Sequence, residues 1–118
     1  MAGRLILFPN SFTDEQPIEF LLPMAEVMRK SAEVEGWVFE SKRAGYRFVA
    51  KLKDPRLKTL PYLELNEHTG KEGLEAIKAW LNEGKVVGLV ADAGMPCVAD
   101  PGSNLVRLCR KEGIAVES

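Results

Sequence analysis

One histidine and two cysteines are the whole complement of soft metal ligands in this chain. Cys97 and Cys109 stand far from His68 in sequence and form no spaced ligand set with it, so no metal site is expected. Two thiols also argue against a disulfide-stapled fold and for a reduced, cytoplasmic protein. Long apolar runs are missing too. None approaches the roughly 20 residues a membrane span needs, and "MAGRLILFPN" is too short in its apolar part, and lacks the cleavage site, for a signal peptide. An excess of one charge is absent: 16 Lys and Arg against 17 Asp and Glu leave a formal net charge of −1. No global basic field therefore marks the chain for nucleic acid. Neither G-x-G-x-x-G nor G-x-x-x-x-G-K-[ST] occurs, so a dinucleotide or triphosphate cradle lacks its fingerprint.

What is present is one domain's worth of chain, 118 residues with 46% hydrophobic content, enough to bury a core without cross-links. Short apolar runs alternate with helical periods. "RLILF" (4–8), "GWVFE" (36–40), "YLELN" (62–66), "VVGLVA" (86–91) and a last strand starting in "IAVES" read as strands. The segments 19–32, 41–53, 70–85 and 103–113 read as helices. Ala44, Phe48 and Leu52 share one helical face, as do Leu74, Ile77 and Leu81. Pro23 fits near a helix start, Ser103 reads as an N-cap, Gly84 and Gly113 as stops, and "DPRLKTLP" as a loop. The order β-α-β-α-β-α-β-α-β predicts an α/β fold: a three-layer, doubly wound, five-stranded parallel sheet with helices on both faces. Strand 86–91 has no polar alternation and should be central.

The densest stretch is "VADAGMPCVADPGSNLVRL" (90–108). It is longer than an ordinary strand-to-helix loop and repeats a word, Asp92-Ala93-Gly94 and Asp100-Pro101-Gly102. Gly94 permits a turn that a side chain would block. Pro96 and Pro101 stiffen the backbone. A stiff loop poor in side chains, at the carboxyl end of a buried strand, suits a small polar ligand, since ligands of open α/β sheets bind at that edge. "FPNSF", after the first strand, is the second specialised end. A plainer reading of Asp100 is a cap for the following helix.

The stretch from 86 to 118 resembles the hallmark segment of the tetrapyrrole (corrin/porphyrin) methylase superfamily. Within it, the resemblance is to the branch that 2′-O-methylates a cytidine of small-subunit ribosomal RNA. That branch reads roughly V-x-L-V-S-D-A-G-T-P-x-I-S-D-P-G-x-x-L-V-x-x-A-x-x-x-G-I. Asp92, Ala93, Gly94, Pro96, Asp100, Pro101, Gly102, Leu105, Val106, Gly113 and Ile114 keep the pattern. Weaker echoes are "FESKRAGYRFVAKL", keeping Glu40 and Arg43 but with Ser41-Lys42 for Asp-Thr; "LNEHTGKE", keeping Glu67 and His68; and "LFPNSF", keeping Pro9. Met95 replaces a Thr.

The resemblance implies an S-adenosylmethionine-dependent methyltransferase. It places the cofactor along Asp92 and Met95, with Gly94 and Pro96 shaping the turn and Pro9 and Phe12 on the first loop. It implies ribosomal RNA as substrate, a homodimer, and a second α/β domain that completes the cofactor cleft. Residues 1–118 are then expected to be the N-terminal domain, inactive alone, with the C-terminal domain absent. Arg43 and His68 are candidate substrate contacts, and no catalytic base is assigned. The segment 42–58 adds seven cations (Lys42, Arg43, Arg47, Lys51, Lys53, Arg56, Lys58) against Asp54, which suits an RNA backbone. A tetrapyrrole-like small molecule, or a non-catalytic half that folds and dimerises, are the alternative readings.

Overall fold

A computed structural model describes residues 3–9, 21–66, 68–91 and 101–117. Five strands and five helices follow along them, alternating except where α2 and α3 are consecutive: β1 (Arg4–Pro9), α1 (Leu21–Ser31), β2 (Gly36–Phe39), α2 (Lys42–Lys51), α3 (Pro55–Lys58), β3 (Tyr62–Glu64), α4 (Lys71–Asn82), β4 (Val86–Ala91), α5 (Pro101–Lys111) and β5 (Ala115–Glu117). All strand pairings are parallel, in the order β3-β2-β4-β1-β5. The expected five-stranded parallel sheet is present, and the all-apolar β4 lies at its middle.

Two apolar layers explain why the strands lack polar alternation. Leu5, Leu7, Val38, Val87 and Leu89 point to one face, where they meet Ile77 and Leu81 of α4 and Leu105 and Cys109 of α5. Ile6, Phe8, Trp37, Phe39 and Val90 point to the other, against Phe48 and Val49 of α2, Leu57 of α3 and, partly buried, Val27 of α1. A strand buried on both sides must be apolar at every position. The second layer is the aromatic one. Trp37 lies edge-on to Phe8 at 5.6 Å and stacks on Phe39 at 5.9 Å, and its Nε1–H donates to the Leu57 carbonyl at 3.1 Å. Two glycines make room for these rings. A Cβ at Gly88 would sit 2.6 Å from Trp37, and one at Gly45 would run into the Phe39 ring.

The helix boundaries follow local chemistry. Ser41 caps α2, its Oγ accepting from the Ala44 amide at 3.2 Å. Gly84 and Gly113 end α4 and α5 at positive φ, 93° and 75°, the left-handed turn that glycine takes without steric cost. Pro23 lies in the first turn of α1, as expected.

Two local expectations are corrected. "DPRLKTLP" is not all loop, because Pro55–Lys58 form a helical turn. Asp54 caps it by accepting from the Arg56 amide at 3.0 Å, and Pro55 occupies its first position, where a missing N–H costs nothing. One turn is too short to register as a period. Ser103 is not an N-cap: α5 begins two residues earlier, at Pro101, so the proline at a helix start outweighs the serine. The capping role considered for Asp100 lies outside the described residues.

Candidate functional site

Every strand points the same way, so the loops that follow them gather on one edge. Across that carboxyl edge the strand order gives the β3–α4 loop, the β2–α2 loop, the end of β4 and the end of β1. Pro9 pairs with Ala91. The two specialised ends recognised in the sequence therefore leave the sheet from neighbouring positions of adjacent strands. The helix after β1 packs on the aromatic layer and the helix after β4 on the opposite one. Adjacent strands whose connections depart to opposite faces open a crevice between them, and that is where open α/β sheets hold ligands. Of the candidate cofactor contacts, Pro9 closes β1. Phe12, Asp92, Gly94, Met95 and Pro96 lie outside the described residues.

The other half of the edge is described in detail. The β3–α4 loop is built around Asn66. Its Oδ1 accepts from the His68 amide at 2.8 Å, and its own amide donates to Thr69 Oγ1 at 2.9 Å. Thr69 Oγ1 in turn donates to the Glu64 carbonyl at 3.1 Å. Asn66 Nδ2 then crosses to the neighbouring loop and donates to the Glu40 carbonyl at 3.0 Å. This bond ties the loop that carries His68 to the loop that leads into Arg43. The two candidate substrate contacts, His68 on one loop and Arg43 in the first turn of the helix that the other loop leads into, are thus linked, and both are exposed. Asn66 was not singled out in the sequence. Its signal was there, an Asn at a strand end bonding two residues on, the usual Asx-turn, but its partner Glu40, just beyond β2, is invisible without the sheet order.

His68 is not next to β4. β2 stands between β3 and β4, and strands are spaced about 4.8 Å apart, so His68 flanks the crevice about two strand spacings from its centre. Ser41, which replaces the acidic residue of the resembled motif, spends its hydroxyl on capping α2. Lys42 reaches over the Tyr62 ring, 5.8 Å from its centroid.

The basic segment 42–58 is not one rim. α2 runs away from the carboxyl edge for ten residues, about 15 Å at 1.5 Å per residue. Lys42 and Arg43 stay at the ligand edge, while Lys51, Lys53, Arg56 and Lys58 are carried to the opposite one. Arg56 is taken up structurally. Its guanidinium donates to the carbonyls of Ser31 (3.3 Å), Ala32 (2.9 Å) and Val34 (3.1 Å), just beyond the end of α1.

Cys109 is fully buried among apolar residues, and that burial pushes its thiol up to about 11. No group of His, Cys, Asp and Glu among the described residues could hold a metal ion. No described helix is long and apolar enough to cross a membrane.

No family model matches the chain. Curated proteins do. It is 49% identical over 57 residues to "Ribosomal RNA small subunit methyltransferase I" of Thermotoga maritima, which is 48% of this chain and 26% of that protein. The protein of the same name from Escherichia coli O157:H7 is 46% identical over 52 residues, covering 44% and 18%. That of Halalkalibacterium halodurans is 45% identical over 64 residues, covering 53% and 21%. These relatives are ribosomal RNA methyltransferases by name. The branch they represent is the one the 86–118 segment resembles. The matched region spans about a quarter or less of the length of these relatives.

Proposed function

We propose that this chain is part of an S-adenosylmethionine-dependent methyltransferase that acts on ribosomal RNA, at a ribose 2′-hydroxyl. The observation that carries the reading is the pairing of Pro9 with Ala91. It puts the carboxyl ends of β1 and β4 side by side, and these are the strands that precede the two segments assigned to the cofactor. The names of the relatives supply the reaction class. Phe12, Asp92, Gly94, Met95 and Pro96 are the residues assigned to the cofactor, and Arg43 and His68 to the RNA.

The bound cofactor supplies an electrophilic methyl group on a sulfonium. In-line displacement at such a methyl gains most from a nucleophile held in near-attack geometry. The task of this chain is therefore to position. In this reading Asp92 fixes the cofactor by a charge-assisted hydrogen bond, and Arg43 fixes the RNA by its phosphates. We assign no general base, and His68, on the flank of the crevice, orients substrate.

The reading includes a second domain that completes the pocket, and a homodimer. Calorimetry with S-adenosylmethionine tests the split pocket. The 118-residue chain is expected to bind weakly or not at all. A chain extended to the length of the relatives should bind, and Asp92→Ala should weaken that binding by about 1–3 kcal/mol. Full-strength binding to residues 1–118 would remove the second domain from the pocket.

A further inference from the structure

Resting on the RNA reading above, we propose that the outer face of α2 is a track for an RNA backbone, with Arg43 and Arg47 as its phosphate contacts. From Lys42 to Lys53 the sequence holds five cations and no acidic residue, in a chain whose 16 cations and 17 acidic residues nearly cancel. The buried face of α2 is spent on Gly45, Phe48 and Val49, which turns Lys42, Arg43 and Arg47 outward, all three exposed. Neither arginine has an ion-pair partner among the described residues, whereas Arg4, Arg29 and Lys78 are each held by a glutamate.

Arg43 and Arg47 are one turn apart, about 6 Å along the helix axis. That is the scale of the step between successive phosphates of an extended single strand. Guanidinium groups suit phosphate because they present paired N–H donors to its oxygens. The track begins at the carboxyl edge, next to the loops that flank the crevice, and leads outward along the sheet's β3 side. Tyr46 and Tyr62 lie half-buried beside it, 5.6 Å apart, packed against each other and Phe39, so they hold the helix in place beside β3. A lipid surface fits poorly. The exposed positions of α2 hold cations and Ala50, with no apolar residue large enough to enter a bilayer interface.

Helix α5 provides the internal control. It also carries two exposed arginines, Arg107 and Arg110, but it packs on the opposite layer of the sheet. The test is fluorescence anisotropy of the 118-residue chain with a labelled single-stranded RNA 12-mer at low and rising salt. Each phosphate contact contributes about −0.7 to the slope of log K against log salt. The wild type is expected to bind, and Arg43→Gln/Arg47→Gln to flatten the slope by about 1.4, two contacts' worth. Arg43→Lys/Arg47→Lys should keep most of the slope, and Arg107→Gln/Arg110→Gln should leave it unchanged. Equal losses from the α2 and α5 pairs would mean that net charge alone is read, and would overturn the track. Wild-type binding that the α2 pair does not alter would overturn the track and leave the RNA reading standing. No binding by the wild type would overturn the track, and a failure of the extended chain to bind the same RNA would remove the RNA reading as well.

Discussion

At the scale of single residues, space decides more than polarity. Gly45 sits in α2 with no turn to make, and helix propensity alone would favour alanine there by about 1 kcal/mol. The Phe39 ring occupies the place its Cβ would take. Gly45→Ala should therefore destabilise despite the better propensity, by about 1–3 kcal/mol of overpacking, read as a lower urea midpoint with an unchanged slope. A gain in stability would mean that the ring can move aside. Cys109 gives a prediction in pH. Its folded thiol titrates at about 11 instead of 9.0 because burial disfavours the thiolate. A raised folded value means that the neutral thiol's contribution is fully present below about 9 and is lost as pH climbs from there through about 11. At pH 8 Cys109 should resist iodoacetamide in the folded chain and react once urea unfolds it, with peptide mass spectrometry as the readout. Rapid labelling in the folded state would contradict the packing of α5.

At the scale of elements, the helices differ in how their ends are closed. α2 begins on Ser41 and α3 on Asp54, local caps that act within three residues, although neither was read as a cap in the sequence. The end of α1 is closed from a distance. Arg56, on α3, reaches the carbonyls of Ser31, Ala32 and Val34, and a cation there also meets the negative end of the helix dipole. Nothing in the spacing of residues 31 and 56 announces this. Arg56→Ala is expected to cost about 1–2 kcal/mol, the lower part of the range for charged hydrogen bonds because water can reach the freed carbonyls. Lys58→Ala, on the same short helix, should cost nearly nothing. Equal losses in a urea titration would show that the carbonyl contacts do not matter.

At the scale of the whole molecule, the proposed homodimer can be probed from the outside of α1. Met28 is 41% exposed and is the large exposed apolar side chain among the described residues. If a symmetric pair uses that helix, Met28→Glu places two like charges at the contact. Light scattering should then show a dimer for the wild type and a monomer for the variant. A wild-type monomer at high concentration would remove the dimer, and a dimer in both would remove only Met28 from its interface.

The order of elements along the chain was determined locally. Helical period and strand runs act over a turn or a few residues, so sequence is enough to find the long elements. The N-caps were not found, since Ser103 was read as one and Ser41 and Asp54 are the ones the structure uses. β4 could be placed at the centre for the same reason: "VVGLVA" offers water nothing on either face. The family resemblance was legible in the motif of residues 86–118. Which strands are neighbours was settled only by packing. β1 and β4 lie side by side although four helices and two strands separate them in the chain, because the crossovers from β1 to β2 and from β3 to β4 interleave in the sheet. That choice alone brings Pro9 against Ala91, joining the ends of two strands far apart in the chain. It also divides a basic run that looks continuous on paper, leaving Lys42 and Arg43 beside the crevice and carrying Arg56 to the far edge to close another helix. A charge run is a property of sequence; the edge it faces is a property of the fold, since a helix of ten residues is long enough to carry its two ends to opposite sides of the sheet.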